Sequence, residues 1–174
     1  EDLQKVGNAN PDFNLGFRNN LSWKGFNLGF LLTARIGGEV MSATQAILDK
    51  YGVSEASAIA RDNGGVTVNF GKLDPQYFYE YIGGGDTGML SNYVYSATNV
   101  RLQELTLGYN LPKKWFNDKL NMTVSLIGRN LWMIYNKAPF DPESIAFTGT
   151  YFQGLDYFMQ PSLRNVGFSV RMQF

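Results

Sequence analysis

The final ten residues of this chain alternate without interruption: Val166, Phe168, Val170, Met172 and Phe174 are apolar, and Asn165, Gly167, Ser169, Arg171 and Gln173 between them are polar or small. A period of two puts the two sets on opposite faces of extended backbone, so the segment predicts a β-strand with one apolar and one polar face. The same period runs from Phe13 to Trp23, with Phe13, Leu15, Phe17, Asn19, Leu21 and Trp23 on one parity and Asn14, Gly16, Arg18, Asn20 and Ser22 on the other. Lys24-Gly25 reads as a tight turn, after which Phe26, Leu28, Phe30, Leu32, Ala34 and Ile36 continue the apolar parity and predict a hairpin. Leu105, Leu107, Tyr109 and Leu111, stopped by Pro112, form a further run, and Met122, Val124 and Leu126 another. Five strands are thus expected, over about 13–23, 26–37, 94–111, 121–132 and 162–174.

The links between these runs alternate in size. Lys24-Gly25 and Pro112 to Lys119 are short, whereas about 38–92 and about 133–161 are long. Antiparallel barrels of the outer membrane show this asymmetry, with small periplasmic turns and large external loops. Within the first long link, Ser42 to Tyr51 reads as a short helix with Ser42 as N-cap and Gly52 just beyond its end.

Composition narrows the function classes. Fifteen basic residues balance fifteen acidic ones, which gives no electrostatic footprint for nucleic acid. With no Cys and no His, the usual zinc ligands, imidazole bases and thiol nucleophiles are missing, so neither a cofactor nor catalysis is expected. The chain is 15% aromatic and only 17% charged, with 19 Gly, a mixture that suggests apolar side chains facing outward. No apolar run reaches the roughly 18 residues of a membrane-spanning helix. The opening Glu1-Asp2-Leu3-Gln4 is neither a leader nor an initiator Met, so the sequence reads as part of a longer protein.

Several short motifs carry a resemblance. Gly7-Asn8-Ala9-Asn10-Pro11-Asp12-Phe13 opens the hairpin, and Val100-Arg101-Leu102-Gln103-Glu104-Leu105-Thr106-Leu107-Gly108-Tyr109 leads into Leu111-Pro112. Gly128-Arg129-Asn130-Leu131-Trp132, Asp141-Pro142-Glu143 and the terminal Phe174 come after them in order. In this order and spacing they resemble the C-terminal end of SusC/RagA-like TonB-dependent transporters of Bacteroidetes. The resemblance implies an all-β fold, an antiparallel transmembrane β-barrel fragment supplying about five C-terminal strands of a plugged barrel of about 22. The plug domain and TonB box would lie outside this chain. The implied activity is energised nutrient import, of glycan or peptide. The implied partners are the remaining barrel and plug, a SusD-like surface lipoprotein, the TonB complex, the barrel assembly machinery and membrane lipid. The implied place is the outer membrane, with long loops extracellular and the C-terminus periplasmic.

Three sets of residues are candidates for function. Val166, Phe168, Val170, Met172 and Phe174 resemble the C-terminal signal read during barrel assembly by strand addition. Trp23, Phe26, Trp115, Trp132 and Tyr135 sit where interface aromatic girdles are expected. Arg18, Arg35, Glu104, Arg129 and Arg171 share the polar parity, which would aim them into the lumen toward one another or the plug. Asp141-Pro142-Glu143 is a weak signal for a cation site or a catalytic carboxylate pair. Gly83-Gly84-Gly85-Asp86 lacks the Lys-Ser/Thr of a phosphate loop and reads as a turn. Tyr77, Phe78, Tyr79 and Tyr81 fit either a stacking surface or a packed loop core. Two other readings remain: a soluble carbohydrate-binding β-sandwich, and a passive porin or autotransporter barrel. The sandwich requires a layer over the apolar face; the barrel requires that face to be bare.

Overall fold

The computed structural model describes residues 5–84, 88–117, 119–146, 149 and 152–173; Phe174 and the Gly85-Asp86 half of the glycine turn lie outside the described residues. The chain is mainly β with some helix, in open sheets. It divides into two compact units, one of residues 11–37, 97–141 and 161–174, the other of residues 1–10, 38–96 and 142–160.

In chain order the elements are β1 (Phe13–Trp23), β2 (Phe26–Ile36), β3 (Glu39–Ser42), α1 (Ala43–Lys50), α2 (Glu55–Asp62), β4 (Val66–Val68), β5 (Gly71–Leu73), α3 (Pro75–Ile82), β6 (Val94–Ser96), β7 (Asn99–Asn110), β8 (Asn121–Asn136), β9 (Leu155–Asp156) and β10 (Asn165–Gln173). The first unit is a single five-stranded sheet in the order β1-β2-β7-β8-β10, antiparallel throughout. Sequential strands pair by the shortest available route, and the sheet has two free edges, β1 and β10.

The β1–β2 turn has φ of 47° at Lys24 and 89° at Gly25, the left-handed pair that matches strand twist in a two-residue hairpin. Gly25 is required there: a Cβ would meet the Asn110 carbonyl and the Tyr109 ring, each at 3.3 Å. The Gly25 carbonyl in turn accepts from the Asn110 amide at 2.8 Å, fastening the turn to β7.

The expected strand over 94–111 is two strands, β6 and β7, which belong to different sheets. The expected fourth strand is longer than its clean alternation, continuing to Asn136 through irregularities. Between β2 and β7 the register passes from Leu31 opposite Glu104 to Leu32 opposite Leu102, so Gln103 is an extra residue. Across β8 the same step passes from Arg129 to Trp132, with Asn130 at φ 50°. The extra Gln103 reverses the parity beyond it on β7, bringing Leu102 onto the apolar face, whereas β8 takes up two residues, Asn130 and Leu131, so that Trp132 keeps the even, apolar parity of Val124 and Leu126.

The second unit gathers the two long connections. β3 pairs antiparallel with β6 and parallel with β9, which joins the first connection to the second. Ser42 caps α1, its hydroxyl accepting from the Gln45 amide at 3.1 Å while donating to the Asp156 carboxylate at 2.6 Å. The small core consists of Ala46, Ile82 and Tyr93, with Phe78, Tyr79, Leu90 and Tyr95 packed around it. Phe78 and Tyr79 therefore serve loop packing, in an edge-to-face contact at 5.2 Å, while Tyr77 and Tyr81, four apart on α3, stay exposed.

Candidate functional site

Facing residues of an antiparallel pair lie on the same side of the sheet, so the register sorts the side chains without reference to any partner. One face carries Phe17, Leu32, Leu102 and Trp132 in one row and Leu21, Leu28, Leu107, Leu126 and Phe168 in another. These side chains are not a core. Val166 and Phe168 are each 77% exposed and Trp132 is 62% exposed, values that interior residues of a two-layer fold do not show. Phe17, Leu21, Leu107 and Leu126 are exposed as well. An apolar face this continuous over five strands far exceeds the scattered apolar residues of an ordinary soluble surface.

The aromatic candidates occupy the two ends of this face. Trp23 and Phe26 flank the β1–β2 turn, and Trp115 lies on a 3₁₀ turn, Lys113–Phe116, between β7 and β8 at the same end. Phe26 stacks on Tyr109 at 4.6 Å, and the Lys24 ammonium lies 5.0 Å from the Trp23 ring. Trp132 and Tyr135 lie toward the opposite end, opposite Leu102 and Val100. The eleven residues of β1, at about 3.3 Å each, run about 36 Å, a length that at the roughly 45° tilt of outer-membrane barrel strands would match an apolar band about 25 Å tall.

The other face is polar. Arg18, Leu31, Glu104, Arg129 and Asn165 form one row across all five strands. Glu104 sits between two cations, 3.7 Å from Arg18 and 3.6 Å from Arg129. Arg18 and Arg129 are largely exposed, so each pair contributes at most about 1 kcal/mol. Arg35 lies in the row of Asn14 and Asn99, and Arg171 in the row of Thr123 and Asn110. All five charged candidates thus share the polar face. In the assembly candidate, Val166, Phe168, Val170 and Met172 line the apolar face of β10, an edge strand, while Phe174 lies outside the described residues.

A deeply buried ion pair involves a residue that parity alone misplaces. Counted back from Leu105 and Leu107, Arg101 falls on the apolar parity, but the extra Gln103 turns it onto the polar face opposite Thr33. There its guanidinium meets Asp141 at 2.8 Å, with both side chains more than nine-tenths buried. Asn136 sets this up by donating from Nδ2 to the Ala138 and Phe140 carbonyls at 2.8 and 2.7 Å, which fixes the bend that delivers Asp141. Asp141 also accepts from the Ser162 amide at 3.1 Å. Asp141 is thereby engaged in holding the bend after β8 to β7 and to the segment that leads into β10. Among the described residues no group of three acidic, His or Cys side chains is disposed to hold a metal.

In the loop unit, a hollow of about 330 Å³ is lined by Asp49, Tyr51, Arg61, Tyr79 and Glu80, among others. Close by, burial first and the Asp49 carboxylate second push the pKa of Tyr93 well above the ordinary tyrosine range. Tyr79 and Tyr95 shift in the same direction for the same two reasons.

No family model matches the chain. Two proteins of Formosa agariphila are similar over its whole length: TonB-dependent receptor P3, 28% identical over 99% of this chain and 17% of its own, and TonB-dependent receptor P26, 27% identical over 100% and 18%. Among solved structures, a chain of the RagAB peptide transporter superposes with a TM-score of 0.62 at 21% identity, covering 94% of this chain and 17% of that one. The RagAB peptide importer in its closed-closed state gives a TM-score of 0.61. The chain therefore spans about a sixth of the length of the relatives it matches.

Proposed function

We propose that this chain is part of the membrane wall of a SusC/RagA-like TonB-dependent receptor that imports nutrients, glycan or peptide, across an outer membrane. In this reading the apolar face meets lipid and the polar face lines a plugged lumen. The long connections lie outside and the short turns in the periplasm. The observation that carries it is the bare apolar face of the five-stranded sheet, bounded at both ends by aromatics and backed by a charged face. A soluble sandwich would hide that face under a second layer, and Phe168 at 77% exposure speaks against one. Both edge strands are long and apolar, an aggregation hazard unless neighbouring barrel strands pair with them.

No side chain here performs covalent chemistry. The wall holds the bilayer seal, while Arg18, Glu104, Arg129, Arg35 and Arg171 offer charges to a plug. A plug moved by a TonB complex would open the path, and a SusD-like lipoprotein would close the outer side. The structural relatives favour peptide over glycan as cargo. Fractionation of cells expressing the complete receptor tests the reading: it predicts outer-membrane recovery, a band whose mobility changes on heating, and lost growth on an oligopeptide or oligosaccharide source after deletion. Recovery in the soluble fraction would overturn it.

A further inference from the structure

The short-turn end of the sheet carries a charge pattern that transport does not require. The two short connections contain Lys24, Lys113, Lys114 and Lys119 against a single acid, Asp118. The four lysines are exposed. The Gly25–Asn110 hydrogen bond fastens the Lys24 turn beside the end of β7, and Lys113 and Lys114 begin the adjoining 3₁₀ turn. That same turn presents Trp115, which with Phe26, Leu107, Tyr109 and Leu126 walls a hollow of about 430 Å³ on the apolar face, almost devoid of polar surface.

Exposed lysines on the two turns that adjoin an apolar, aromatic-walled slot match an amphiphile with an anionic head and an alkyl tail. We infer that the short-turn end holds an anionic glycerophospholipid, its phosphate against Lys113 and Lys114 and one acyl chain in the hollow beside Trp115. The inference rests on the membrane-wall reading, since only a bilayer presents this ligand to that face. Lysines at such a surface attract anionic headgroups, and their aliphatic stems lie along the apolar rim while the charge stays in water. Zwitterionic lipid would fill the slot without answering the charges.

The complete receptor containing this chain, purified in mild detergent, would be mixed with equal amounts of phosphatidylglycerol and phosphatidylcholine and read by native mass spectrometry. Phosphatidylglycerol should be retained about thirtyfold over phosphatidylcholine, the preference expected from two surface lysines. The preference should fall to near parity in the Lys113→Gln/Lys114→Gln variant, whose exposed substitutions leave the sheet intact. Trp115→Ala should lower retention of both lipids. Equal retention by the native receptor, or a preference unchanged in the double variant, would overturn the inference. Heat-dependent mobility of the same samples separates the two failures: a normal barrel without lipid preference removes the lipid site alone, and no barrel removes both.

Discussion

Arg101 and Asp141 show how much one residue's placement depends on its neighbours. A buried guanidinium and carboxylate at 2.8 Å offset each other's desolvation only while both are present. Arg101→Met is therefore expected to destabilise the receptor by about 3–5 kcal/mol, because it strands the Asp141 charge. Arg101→Met combined with Asp141→Leu should recover most of that loss. The temperature at which the barrel unfolds in detergent checks both. A double variant as unstable as the single would show that the pair acts through packing and not through charge. Nothing in the local sequence flags Arg101, because the bulge at Gln103 is decided by pairing across β2 and β8 and not by the residue's own run.

At the scale of elements, the wall was readable and the loop unit was not. β1, β2 and β10 are nine to eleven residues long, and alternation broken only at Asn19 and Leu31 leaves enough repeats for period two to stand out. In the loop unit, strands are two to four residues and helices eight, too short for any period to register beyond the Ser42-capped α1. Its defining contact, Ser42 to Asp156, spans 114 residues and leaves no local trace. Fewer of the candidate contacts than of the strands were legible, since Glu104 meeting both Arg18 and Arg129 depends on register, which parity leaves open. The unit's buried tyrosines give it a pH limit. The folded unit holds the Tyr93 proton more tightly than the unfolded chain does, so stability is unaffected below pH about 10 and falls as pH rises beyond it. Hydrogen exchange of residues in α1 and α3 should accelerate between about pH 9.5 and 11 after correction for the intrinsic rate, and less so in Tyr93→Phe. An unchanged response in that variant would assign the limit to Tyr79 and Tyr95.

Across the whole molecule, the two faces of the sheet should tolerate charge in opposite ways. Phe168→Lys places an ammonium on the apolar face and is expected to cost about 2–4 kcal/mol if that face lies near mid-bilayer. Ser169→Lys, one residue on and on the polar face, should cost less than about 1 kcal/mol; refolding equilibria into lipid vesicles compare the two. That one face of this sheet touches lipid is measurable in the complete receptor once any cysteine outside this stretch is replaced, since the stretch itself contributes none. Single cysteines placed from Asn165 to Gln173 in the complete receptor, spin-labelled and reconstituted in lipid, report contact with dissolved oxygen, which concentrates in the hydrocarbon. The account predicts high oxygen contact at Val166, Phe168, Val170 and Met172 and low contact at Gly167, Ser169 and Arg171, in strict alternation. Uniform contact along β10, or alternation of the opposite phase, would contradict it.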